Sequence, residues 1–141
     1  MPKRNSVLID TNILIASAYA KDVHYRDAVL FFEVYGDRDL VVPAPVLTEL
    51  FHVVLERESY RSAFRAVMQN VEMFEIVSLE RIDYFRAFDI MRGYRDAELD
   101  FTDASIMALA ERYAITEIAT FDRRDFSLVT PSHAEHFTLL P

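Results

Sequence analysis

A chain of 141 residues, 52% hydrophobic and 27% charged, can bury one core and has the composition of a globular domain. Its formal charge of −8 and pI near 4.9 argue against a generic nucleic-acid-binding surface. The absence of cysteine removes disulfides, thiolate chemistry and cysteine-ligated zinc.

The opening "MPKRNSVLID" has two basic residues, but the apolar stretch after them stops at Asp10. It reads as a first strand, residues 6–10, and not as a signal peptide. Helical periodicity follows over 12–20 and 24–35, then a strand at 39–42. Pro43 and Pro45 mark the start of a helix over 45–57, and a further helix covers 59–72 before a strand at 74–78. Helices over 80–95 and 103–114 precede a fourth strand at 116–121. "FDRRDF" then reads as a tight loop, and residues 136–140 supply a fifth candidate strand. Two glycines, no repeat and no linker predict a single domain, 1–141. No apolar run approaches the ~18 residues of a membrane span, so no membrane contact is expected; the missing cysteines lead to the expectation of a cytoplasmic location. Strands alternating with helices predict a parallel sheet covered on both faces, with its functional crevice beyond the carboxyl ends of the strands.

Four carboxylates stand out against that frame. Asp10 ends the first strand and precedes "TN"; a helix cap is the plain reading, a site acid the alternative. Glu49, in "VPAPVLTELFHVVLER", flanks the apolar stripe of Val46, Leu47, Leu50, Phe51 and Val54, where a glutamate is less comfortable than on the solvent face. Asp103, in "DFTDASIMALAERYA", shares a helix face with Ile106, Met107 and Ala110, which directs a first-turn carboxylate along the buried side. Asp100 or Thr102 as cap, with Asp103 feeding the helix dipole, accounts for the position but less well for that direction. Asp122 lies just past the carboxyl end of the fourth strand, where turn chemistry alone could explain it. Four acids gathered at one rim could not all stay ionised without a cation. A hard divalent ion bound through oxygen is the natural solution. No Gly-rich loop cradles a nucleotide, so such an ion would act on a phosphate carried by the substrate.

Asp-Thr-Asn after the first strand, Glu49 in "VLTELF", "FTDASIMALAER" and the closing "ATFDRRDF" together resemble the PIN domain, over essentially the whole chain. Within that family the length and motif order are most similar to VapC toxins of toxin–antitoxin pairs. The resemblance implies a three-layer α/β/α sandwich with a central, mostly parallel sheet of four to five strands. It also implies an endoribonuclease dependent on Mg²⁺ or Mn²⁺, leaving 5′-phosphate and 3′-hydroxyl ends. Carried over, Asp10, Glu49, Asp103 and Asp122 are the metal-binding catalytic acids, with Asn12 and Thr120 supporting them. RNA as substrate, a cognate antitoxin and a homodimer are the implied partners. Asp100 and Asp125 are additional acids, each either an outer ligand or a cap.

Thirteen of the fifteen basic residues are arginine, the remaining two being Lys3 and Lys21. Arg123 and Arg124, beside Asp122, are the candidate RNA contacts; Arg57, Arg61 and Arg65 read first as a solvated face. "HAEH" (133–136) reads as a surface turn, not a zinc site, and His52 as a boundary residue. The aromatic-rich "AVLFFEVY" and "RIDYFRAFDIM" read first as core, with a surplus available to an interface. The competing readings are a catalytically silent PIN scaffold, which four intact acids disfavour, and a structure-specific DNA nuclease, for which the chain lacks a clamping insertion.

Overall fold

Val7, Leu8 and Ile9 are wholly buried because the strand they form, β1 (Val7–Ile9), runs through the middle of the sheet. The computed structural model describes residues 1–141. After β1 come α1 (Thr11–Ala18), α2 (Tyr25–Tyr35), β2 (Leu40–Pro43), α3 (Ala44–Arg57), α4 (Tyr60–Met73) and β3 (Glu75–Val77). The chain continues through α5 (Arg81–Gly93), a 3-10 turn at Arg95–Ala97, α6 (Phe101–Tyr113), β4 (Glu117–Ala119), α7 (Arg123–Leu128) and β5 (Thr138–Leu140). All five strands are parallel, in the order β3-β2-β1-β4-β5. Winding runs outward from β1 to β3, then returns to β4 on the other side, so β1 and β4 flank the topological switch point.

Right-handed crossovers set the layers. They put α1 to α4 on one face of the sheet and α5 to α7 on the other. The packing agrees: α1 lies on α2 and α3, and α3 on α4, while α5 lies on α6. The result is the expected three-layer sandwich, with the sheet wholly parallel. One hydrophobic cluster of 27 residues fills it, and no helix is long and apolar enough to cross a membrane.

The helix α6 is buried on every side from Asp103 to Ala110. Its small residues Ala104 and Ala108 meet Ala87 of α5, which lets the two helices approach closely. That contact leaves no room for rings. The aromatic residues of α5 expected in the core therefore point outward, with Phe85 and Phe88 exposed and Ala87 and Ile90 buried. A second difference is α7, a helix where a loop was expected. Asp122 caps it by accepting the N–H of Asp125 at 3.1 Å, so a turn-like acidic–basic run becomes a short helix.

With only two glycines, the chain closes α6 on an alanine. Ala114 sits at φ 55°, the left-handed region, with the amides of Ala114 and Ile115 bonded back to Glu111 and Ala110. An L side chain there costs on the order of 1 kcal/mol, which glycine avoids. Ala114→Gly is expected to raise unfolding stability by about 0.5–1 kcal/mol in urea titration; a loss of stability would contradict the strained cap.

Candidate active site

Asp10 emerges from β1 with its N–H bonded to Ala119 of β4 at 2.9 Å, so the switch point itself places the carboxylate. The residue is a helix cap as well as a rim acid. Oδ1 accepts the Thr11 N–H at 2.7 Å, and Oδ2 accepts the Thr120 hydroxyl at 2.8 Å and the Asn12 amide at 3.3 Å. Asn12 is fixed in turn, its Nδ2 also reaching Thr120 Oγ1 at 3.2 Å and its Oδ1 accepting the Phe121 N–H at 3.1 Å. Thr120 Oγ1 further accepts the Asp122 N–H at 3.0 Å. Burial pushes the Asp10 carboxyl up to about 6 despite these donors, helped by the nearby charges of Glu49 and Asp100.

Asp103 is buried along the apolar face of α6, as its spacing with Ile106 and Met107 requires. Asp100 caps the helix by accepting the Asp103 N–H at 2.8 Å. Burial, followed by the charges of Asp10, Asp100, Asp122 and Glu49, pushes the Asp103 carboxyl up to about 9. Glu49, half-buried on α3, reaches the group from a different layer of the sandwich. Carboxylate oxygens of Asp103, Asp122 and Asp125 lie within 4.8 Å of one another. Asp125 is also shifted upward, by burial and then by Asp122, and its Oδ1 is buried with no hydrogen-bond partner. An all-carboxylate donor set with an orphaned buried oxygen fits a hard divalent cation such as Mg²⁺ or Mn²⁺, and not a soft or nitrogen-seeking one.

Asp125 was the residue least visible in the sequence. Its signal is the i, i+3 spacing from Asp122, which on a helical turn sets both acids on one side. The arginines separate. Arg124 carries its charge beside Asp125, whereas Arg123 donates to the Pro141 carbonyl at 2.6 Å. Arg57 stacks over the Tyr19 ring, and Arg61 and Arg65 lie exposed on α4. In "HAEH", His133 Nε2 bonds the Ile115 carbonyl and His136 Nδ1 the Phe137 carbonyl, both structural roles. His52 pairs with Glu56 on the surface. His24, not singled out in the sequence, stacks on Phe121 with centroids 4.2 Å apart.

The PIN domain profile matches residues 7–130, from β1 to just past α7. The chain belongs to the PIN domain family. This PIN domain is 29% identical to Ribonuclease VapC26 of Mycobacterium tuberculosis over 137 residues, covering 96% of the chain and all of that protein. Among solved structures it is similar to M. tuberculosis VapC20, a toxin described as cleaving the sarcin-ricin loop, with TM-score 0.77, 19% identity and coverage of 92% and 98% of the two chains. It is also similar to a chain of DNA-bound VapBC from Salmonella typhimurium, with TM-score 0.71, 17% identity and coverage of 99% and 97%. At these identities the two structures speak to the fold.

Raised carboxyl groups have a signed consequence for stability. Between 3.8, the ordinary aspartate value, and about 9, folded Asp103 keeps a proton that the unfolded chain has released. Asp10 does the same between 3.8 and about 6. Stability contributed by these groups is complete below 3.8 and is lost as pH rises through their folded values. In EDTA, the melting temperature is expected to fall between pH 5 and pH 9, and Asp103→Asn to flatten the upper part of that fall. Thermal unfolding followed by circular dichroism checks both; a midpoint rising over this range would contradict the assignment.

Proposed function

We propose that this single-domain chain is a Mg²⁺- or Mn²⁺-dependent endoribonuclease and the toxin of a toxin–antitoxin pair. The observation that carries the reading is the convergence of Asp10, Glu49, Asp103, Asp122 and Asp125 at the switch point of a PIN domain, with Asp103, buried and then crowded by acids, holding its proton up to about 9. Likeness to a protein named a ribonuclease supports RNA as the substrate, and likeness to VapBC complexes supports an antitoxin as the partner. Four intact acids disfavour a silent scaffold.

Asp10, Glu49, Asp103 and Asp122 would hold the divalent ion, with Asp125, whose carboxylate gathers with those of Asp103 and Asp122, beside them. When bound, the ion supplies an activated water and polarises the phosphoryl oxygen. The protein does the rest by position. Thr120 and Asn12 hold the Asp10 carboxylate in one orientation before substrate arrives, which removes an ordering cost from the reaction. Without a cation the crowded acids repel a phosphodiester, so the site is silent until loaded. Arg124, with no partner drawing it away as Pro141 draws Arg123, is the cation placed to meet a phosphate oxygen. The expected products carry 5′-phosphate and 3′-hydroxyl ends, and the chain is expected to work in the cytoplasm.

The test is cleavage of a mixed, structured RNA with Mg²⁺, Mn²⁺ or EDTA. Cutting should need the metal and disappear in Asp10→Asn and Asp103→Asn. Thr120→Val should lower activity about 10–100-fold, as loss of a ligand-orienting bond does. Metal-independent cutting that survives in both acid variants would sink the reading.

A homodimer belongs to the same proposal. Tyr60, Phe64, Met68 and Val71 form an exposed apolar stripe along one face of α4, suited to a second copy. Light scattering should give twice the chain mass, and Phe64→Glu should return it to one. A wild-type monomer at micromolar concentration would remove the dimer.

A further inference from the structure

A cleft of about 690 Å³ opens beside the acids, between the start of α3, the loop before α5 and the start of α6. Glu49 forms part of its wall, and Thr102, the residue before Asp103, forms another part. Cleft and acid rim therefore share two elements. A strand whose phosphate is held at the rim can extend along these two elements into the cleft.

The lining is specific in chemistry. Tyr84 and Phe101 lie nearly parallel, 22° apart in plane, with ring centroids separated by 5.9 Å. They are 42% and 36% exposed, so the aromatic wall is open. Thr48, Ser78 and Thr102 and the imidazole of His52 are also in the lining and supply donors and acceptors. No lysine or arginine lines it, so the cleft is not built for a phosphate. The flat, open aromatic wall suits a planar heterocycle, and the hydroxyls beside it can bond its edge.

We infer that this cleft seats one nucleobase of the RNA strand, adjacent to the bond cut at the acids, with the base lying against Tyr84 and Phe101. The inference rests on the ribonuclease reading above and adds a position to it. Phe101 is the first residue of α6, in the turn that Asp100 caps, so the wall is fixed relative to Asp103. A base inside the cleft has left its own helical stack. The cut is therefore made where the RNA is unpaired, and a duplex of the same sequence is a poor substrate.

The experiment photo-cross-links the full chain to a short single-stranded RNA of mixed sequence carrying 5-iodouridine, and maps the adducts by mass spectrometry. Adducts on Tyr84 or Phe101 are expected, and none with the same RNA in duplex form. In cleavage assays Phe101→Ala and Tyr84→Ala should each raise KM about tenfold with kcat nearly kept, whereas Phe101→Tyr and Tyr84→Phe should behave as wild type. The two readings fail separately. Metal-dependent cutting with no adduct in the cleft and unchanged KM in the alanine variants overturns the base seat and leaves the nuclease standing. Adducts in the cleft from a protein that cuts no RNA support the base seat and remove the nuclease. Alanine variants that keep KM but lose the dimer or the antitoxin assign the wall to a protein interface, and overturn the inference.

Discussion

One hydroxyl joins the two halves of the sheet where the chemistry is proposed. Thr120 Oγ1 donates to Asp10 and accepts from the Asn12 amide and the Asp122 backbone, which uses its whole capacity of one donor and two acceptors. Through it the end of β1, the start of α1 and the approach to α7 are held in one frame. The group is fully buried, so no water competes for these bonds. Threonine suits the post for a second reason: its β-branched stem packs at a strand end. Strand β1 is buried so that this frame has something rigid to stand on.

Against that frame stands the repulsion of the acids. A sheet that brings Asp10, Asp103 and Asp122 to one rim, with Glu49 entering from α3, concentrates like charge in a poorly solvated place. The core has to outweigh it, and the 27-residue apolar cluster is what does so. The raised carboxyl groups are the visible trace of the conflict. The proposed site would tighten on a cation because it is uncomfortable without one, a trade of stability for function common to active sites.

Much of this was legible in the sequence, and the reasons for success and failure are specific. Strand-to-acid junctions at Asp10 and Asp122 follow from runs of β-branched and apolar residues that stop at a carboxylate. The inward direction of Asp103 follows from helical spacing alone. Two features were not legible. The weight of Asp125 depends on α7, a helix of six residues whose formation turns on one cap bond and leaves almost no periodicity. The outward turn of Phe85 and Phe88 depends on Ala87 meeting Ala104 and Ala108, a contact between helices that no single segment encodes. Local pattern predicts faces well when one face is apolar. It fails when a small residue decides which face goes in.

The burial of α6 on every side has a consequence for how this protein can vary. Eight consecutive residues, Asp103 to Ala110, have no solvent face, so that stretch of the helix has no position where change is free. Asp103 is the first of them. A methyl group added at Ala108 would have to be absorbed by a shift of the whole rod, and that shift would arrive at the carboxylate. Repacking in the middle of the molecule and adjustment at the rim are one mechanical event, so drift in the core would register first as altered chemistry and only later as unfolding.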